Sequence, residues 1–214
     1  MADRKRLRRI TCFEGMKDAV LYIHGKGGSA AECEHYRPLF PDSAVFGLDY
    51  QTFTPWETRA EIHAAVEELK AEHKSIILIA NSIGAFFSMN AGIDAMIQKA
   101  YFISPIVDME RLIRDMMAWA DVTEAELRLR GVVHTEFGED LAWDYLSYVR
   151  NHPIVWTVPT QILYGGRDNL QSSGVMRAFS RRFGCALTVA PESEHAFMAP
   201  GDAERVGSWL EKSL

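Results

Sequence analysis

Two hydrophobic rhythms alternate along this chain. Short runs rich in β-branched and aromatic residues recur at residues 10–13, 19–23, 44–48, 75–80, 100–103, 160–164 and 186–189. Between them lie longer segments with helical spacing. Residues 55–74 open on Pro55, set Ile62, Ala65, Val66 and Leu69 along an inward stripe, and direct Glu61, Glu67, Glu68 and Lys70 to water. Residues 82–96 leave a strand directly, and residues 203–214 carry Val206, Trp209 and Leu210 as their apolar stripe. Such alternation predicts βα units around a mainly parallel sheet, and the near-continuous apolar character of the central runs predicts strands buried on both faces.

The stretch between Ser104 and Val158 breaks the rhythm. It offers helical patterns around residues 109–120, 123–130 and 139–150 and no strand, so it reads as an insertion laid over the edge of the sheet. His152-Pro153 and Val158-Pro159 mark the return to extended chain, because proline disfavours helix in the residue before it. A length of 214 residues fits one α/β domain.

Composition narrows the function classes. With 48% hydrophobic and 24% charged residues the chain is an ordinary globular protein rather than a disordered one. A net charge of −6 opposes phosphate backbones, and the basic cluster Arg4, Lys5, Arg6, Arg8 and Arg9 reads as a solvated tail; no nucleic-acid partner is expected. No apolar window reaches the roughly 18 residues of a membrane span, and no secretory pattern follows the basic cluster. A cytoplasmic location is expected. Cys12, Cys33 and Cys185 form neither a disulfide framework nor a zinc ribbon, and His63 and His73 are too far apart on a helix to share an ion, so no metal is expected.

Candidate chemistry sits where strands end. In Ala80-Asn81-Ser82-Ile83-Gly84 a strand turns at once into a helix, which lifts a serine clear of the sheet and aims the first helical amides at whatever it attacks. The competing reading is a plain serine N-cap. His24-Gly25-Lys26-Gly27-Gly28 also follows a strand; its glycines leave backbone amides uncovered, and those of Lys26 and Ile83 form a candidate oxyanion hole. A phosphate-binding loop is the alternative, but neither GxGxxG nor the GK[ST] ending is present. A hydroxyl needs a base held by a carboxylate. His195 lies on the loop after the last strand, and Asp168 leaves its strand through Gly165-Gly166, so both reach the edge where open α/β sheets bind ligands. Asp108 is the rival acid, otherwise a helix N-cap. His24 reads as a brace for the glycine loop, and Glu192 and Glu194 as solvated.

The four motifs together, with Glu194-His195-Ala196-Phe197 as the last, resemble the α/β-hydrolase superfamily and follow its Ser, Asp, His order. The resemblance implies a single domain over residues 1–214 with an α/β-hydrolase fold: a mostly parallel sheet of about seven strands, helices on both faces, and a helical lid at about 107–152. It implies that the first antiparallel strand of the full fold is missing, and it tolerates Ala80 where glycine is usual. The catalytic residues would be Ser82, Asp168 and His195, with no cofactor. The expected activity is hydrolysis of a small-molecule carboxylic ester with an apolar acyl or aryl group, and the candidate pocket residues are Met116, Trp119, Trp143 and Met198. A thioesterase, a carbon–carbon bond hydrolase and a non-catalytic binding protein on the same fold remain as alternatives.

Overall fold

Six of the seven apolar runs become strands whose ends move by no more than one residue from the sequence reading. The structure, a computed structural model, describes residues 7–9 and 18–214, so the run at residues 10–13 and Cys12 lie outside the described residues. In chain order the elements are β1 (Leu7–Arg9), β2 (Asp18–Ile23), two 3-10 segments (Ala30–His35 and Arg37–Leu39), β3 (Ser43–Leu48), α1 (Pro55–Glu72), β4 (Ser75–Asn81), α2 (Ile83–Asn90), a 3-10 turn (Asp94–Met96), β5 (Lys99–Ile103), α3 (Met109–Trp119), α4 (Glu124–Arg130), β6 (Val132–His134), β7 (Asp140–Ala142), α5 (Trp143–Asn151), β8 (Thr160–Gly165), α6 (Ser173–Phe183), β9 (Ala186–Ala190) and α7 (Asp202–Ser213). They fall into two compact units, residues 1–107 with 156–214 and residues 108–155.

The first unit carries a seven-stranded sheet in the order β1-β3-β2-β4-β5-β8-β9. Every neighbouring pair is parallel except β1 with β3. The chain runs from β2 outward to β3 and then crosses back to β4, so strand order reverses at β2. That reversal leaves a crevice at the carboxyl ends of β2 and β4, where such sheets bind ligands. Alternate residues face opposite sides of the sheet. Val20, Tyr22, Val45, Ile79, Tyr101, Ile103 and Leu163 form one face and pack with Cys33, Phe40 and the α7 residues Trp209 and Leu210. Leu21, Leu78, Phe102 and Ile162, all fully buried, face the other side, and α1 and α2 contact β4 there. Each such side chain removed from water stabilises the fold by about 1.5–3 kcal/mol.

Four expectations are corrected in this unit. An antiparallel edge strand is present: Leu7–Arg9 pairs with Phe46 to Leu48, so part of the basic cluster is strand backbone rather than free tail. Glu61 is buried rather than solvated, because the loop after β3 folds over it and Thr52 Oγ1 donates to its carboxylate at 2.7 Å. The helix after Ser82 stops at Asn90, where Gly92 turns the chain at φ +67°. Helix α6 was not expected; Ser172 caps it on the Val175 amide and Gly184 closes it in the left-handed conformation.

The second unit corrects a fifth. Its three helices appear close to where the periodicity puts them, but β6 and β7 pair as an antiparallel hairpin inside a stretch read as strand-free. Asp108 caps α3 by accepting from the Arg111 amide at 3.0 Å, and Thr123 with Glu126 forms a capping box on α4. Arg150 joins these helices by a paired contact to Glu124 at 2.7 and 2.8 Å and a bond to Glu110 at 2.8 Å. Among the described residues no helix is long and apolar enough to cross a membrane.

Candidate active site

Ser82 stands between β4 and α2 with φ +52° and ψ −120°, a conformation that costs a residue with a side chain about 1–3 kcal/mol. Backbone contacts hold it there. Its amide donates to Ile103 O at 3.0 Å on β5, and its carbonyl accepts from Ala85 and Ile106 at 3.2 and 3.1 Å. The turn can form because Gly84 lies against the end of β2: a Cβ there would fall 2.4 Å from His24 O and 2.7 Å from Ile23 O. Ala80 needs no such room, since it is wholly buried in the ladder between Ile23 and Phe102.

Asp168 and His195 arrive on loops that are bonded to each other. Gly166 N donates to Ala190 O at 2.7 Å and Arg167 N to Ser193 O at 3.0 Å. A Cβ on Gly165 would fall 2.6 Å from Glu194 O, and one on Gly166 would fall 2.6 Å from Pro191 O, so both glycines are required for the close approach. The Asp168 side chain is completely buried. Its Oδ1 accepts from the Leu170 and Gln171 amides at 2.8 and 3.0 Å, leaving Oδ2 for His195. Burial and then the Asp168 carboxylate push the Tyr164 phenol up, and its OH donates to Gln171 O at 2.8 Å on the same loop.

The three side chains form a row. His195 Nδ1 lies 2.7 Å from Asp168 Oδ2, and His195 Nε2 lies 2.7 Å from Ser82 Oγ. An ionised carboxylate only accepts, so Nδ1 carries the proton and Nε2 is left to accept from the serine hydroxyl. The imidazole is 12% exposed, reached by solvent at one edge. Its loop is anchored by Asp202, whose Oδ1 accepts from Ser193 Oγ at 2.6 Å and whose Oδ2 accepts from Ala199 N at 3.1 Å, on either side of His195. The Ser193 hydroxyl first, then the Ala199 amide and the Arg205 guanidinium, hold the Asp202 carboxyl below its usual range.

The glycine loop closes against the serine. A Cβ on Gly25 would lie 3.2 Å from Ser82 Cβ. Gly28 N donates to Gly25 O at 3.1 Å, and Gly27 takes φ +73°, the third position of a type II turn, which glycine fills without strain. Lys26 is the second residue of that turn. Ile83 opens α2, so its amide is one of the first-turn donors that helical geometry leaves without an intrahelical partner. His24 braces the loop as the sequence indicated: Nδ1 bonds Gly25 O at 2.7 Å, and its ring stacks on Tyr50 at 4.2 Å. Glu192 and Glu194 are both exposed, as read from the sequence, and Glu192 pairs at the surface with Arg167.

The candidate pocket residues are divided between the two units. Met116, Trp119 and Trp143 belong to the second unit, where Trp119 is 56% exposed and meets Phe137 edge-on, and Trp143 lies under the Arg128 guanidinium. Met198 belongs to the first unit and is 85% exposed. Asp202, Ser193, Tyr22 and Glu32 were not singled out from sequence. Only Glu32 had a readable signal, the S-x-x-E spacing from Ser29 that marks a capping box. Among the described residues no group of three or more His, Cys, Asp or Glu is placed to hold a metal ion. Burial pushes the Cys185 thiol up to about 11.

No model of a protein family matches the sequence, and neither does any curated protein. Solved structures do match. Est1E from Butyrivibrio proteoclasticus superposes with a TM-score of 0.78 at 17% identity, over 96% of this chain and 90% of that one. This chain has the α/β-hydrolase fold. The alpha/beta hydrolase domain-containing protein 10 from mouse gives a TM-score of 0.73 at 14% identity, over 97% of this chain and 94% of that one. An esterase of Pyrococcus furiosus gives 0.62 at 18% identity, over 92% and 83%.

Proposed function

We propose that this protein is a serine hydrolase that cleaves carboxylic esters of small to medium apolar acyl or aryl groups through an acyl-enzyme. The observation that carries the reading is the hydrogen-bonded row from Ser82 through His195 to Asp168, with both links at 2.7 Å. Ser82 Oγ attacks the carbonyl carbon as its proton passes to His195 Nε2. Asp168 stabilises the imidazolium that results, and the amides of Lys26 and Ile83 receive the oxyanion. The carbon–oxygen bond of the leaving group then breaks and His195 returns the proton to the departing alcohol. Water, deprotonated by the same imidazole, attacks the acyl-enzyme and releases the acid. Asp168 is the better acid than Asp108, because its free oxygen meets the imidazole while Asp108 caps α3.

The test is Ser82→Ala assayed on p-nitrophenyl acetate and butyrate beside labelling with a fluorophosphonate. Turnover should fall by at least about a thousandfold and labelling should vanish. Retention of most of the wild-type rate would remove Ser82 from the mechanism, and a wild-type protein that is never labelled would favour a binding protein. One similar structure, Est1E, has been solved with ferulic acid bound. Hydroxycinnamoyl esters therefore belong in the substrate screen, beside thioesters of matched chain length.

A further inference from the structure

Besides His24, the glycine turn at Gly25 to Gly28 has a side-chain support that the proposed mechanism leaves unused. Glu32, one turn into the following 3-10 segment, reaches back with both carboxylate oxygens. Oε1 accepts from the Ser29 amide at 2.9 Å, and Oε2 accepts from Tyr22 OH at 2.5 Å. The carboxylate lies flat against Gly28, where a Cβ would fall 2.7 Å from Oε1 and 3.2 Å from Oε2. Tyr22 is fully buried on β2, the strand that leads into the turn and that pairs with β4, which ends at Asn81 next to Ser82. Burial first, then Tyr36 and Glu32, push the Tyr22 phenol far up, so it remains a donor. Tyr22, Glu32 and Ser29 therefore form a continuous path from the strand beside β4 to the glycine turn.

We propose that Glu32 and Tyr22 are positioning residues that fix the glycine turn relative to Ser82, and with it the Lys26 amide that receives the oxyanion. The proposal rests on the reading of Ser82 as nucleophile. Physically, a peptide amide in a glycine-rich turn is easily rotated, and an oxyanion donor contributes only if its direction is set before charge develops. A carboxylate accepting from Ser29 on one oxygen and from a buried phenol on the other removes that freedom. Neither residue need touch the substrate.

The experiment uses the full chain with Glu32→Gln and Tyr22→Phe, p-nitrophenyl butyrate, and a propyl trifluoromethyl ketone. Ser82 Oγ adds to the ketone carbon, its proton passes to His195, and the former carbonyl oxygen becomes an oxyanion, so the adduct depends on the same donors as the reaction. Either variant should lower kcat about ten- to a hundredfold while KM moves less than about threefold. The inhibition constant of the ketone should rise by the same factor as kcat/KM falls. Amide exchange at Gly28 and Ser29 should quicken in Glu32→Gln, a readout independent of turnover and of any general loss of stability measured as Tm. Variants that keep wild-type kcat and ketone affinity would overturn the proposal, as would a loss of rate with exchange at the turn unchanged. A wild-type protein that neither hydrolyses the ester nor takes up a fluorophosphonate would instead overturn the Ser82 reading and this proposal with it.

Discussion

Ser82 and His195 end up 2.7 Å apart, yet the two are held in place by different means. The serine turn is fixed by main chain: the Ile103 carbonyl, the Ala85 and Ile106 amides, and the carbonyls of Ile23 and His24 that press on Gly84. All of these come with the strand ladder and the start of α2, so the fold itself supplies the strained conformation. The histidine loop shares main-chain bonds with the loop after β8 and relies in addition on a buried carboxylate, Asp202, that grips the chain before and after the imidazole. A turn built from backbone is insensitive to most side-chain changes and intolerant of added volume. A loop that leans on one carboxylate is open to a single substitution there.

The strongest way to break this contrast is Gly84→Ala. Its methyl group would meet two carbonyl oxygens of main chain that belongs to the sheet, so the elbow must move rather than a side chain. The expected cost is about 1–3 kcal/mol of stability, and a displacement of about 1 Å at Ser82 should lower kcat about a hundredfold. Thermal unfolding and ester turnover on one preparation check both. Wild-type activity in this variant would show that the turn is softer than its contacts imply.

Asp202→Asn should act on the other partner with a smaller effect. Loss of the charge leaves Ser193 and Arg205 with a weaker acceptor, at about 1–3 kcal/mol, and kcat should fall about tenfold as the imidazole loses its fixed loop. The pH dependence has a definite sign. The folded-state pKa of Asp202 is lowered, so its contribution is present above the unfolded carboxyl value of about 3.9 and is lost as pH falls through the lower folded value. The gap in Tm between wild type and Asp202→Asn should therefore be widest near neutrality and close on acidification below about pH 4. A gap that grows with acid would contradict the assignment.

The same contrast explains what the sequence could disclose. Strands β2, β4, β5 and β8 were legible because a strand buried on both faces must be apolar throughout, and the serine turn because it needs small residues at fixed offsets. Asp168 and His195 were legible by position, on loops leaving adjacent strands at one edge. Asp202 was not, since in one dimension it is an ordinary acidic residue in the first turn of α7, and its role exists only once the loop from residue 191 to 201 folds back on it. Glu61 was misread for a related reason. Its charge argued for water, but position 61 lies on the buried stripe of α1 between Thr58 and Ala65, where Gln51 N and Thr52 Oγ1 donate to its carboxylate. The hairpin of β6 and β7 has three residues in each strand, too few for a period of two to stand out.

The smallest expected effect sharpens the comparison from outside it. Asp108 follows the end of β5 closely enough in sequence to be a rival acid, but its Oδ1 accepts from the Arg111 amide, which satisfies one of the four donors that the start of α3 leaves open. Asp108→Ala should therefore behave as the loss of a helix cap, costing about 0.5–2 kcal/mol and lowering Tm by a few degrees. Turnover at a temperature well below Tm should stay within about twofold of wild type, since a capping change leaves transition-state contacts intact. If instead kcat fell by orders of magnitude with little change in Tm, Asp108 would be acting on the imidazole, and the bond from Asp168 would have to be read as structural. Because stability and rate move in opposite patterns under the two assignments, one variant measured both ways decides between them.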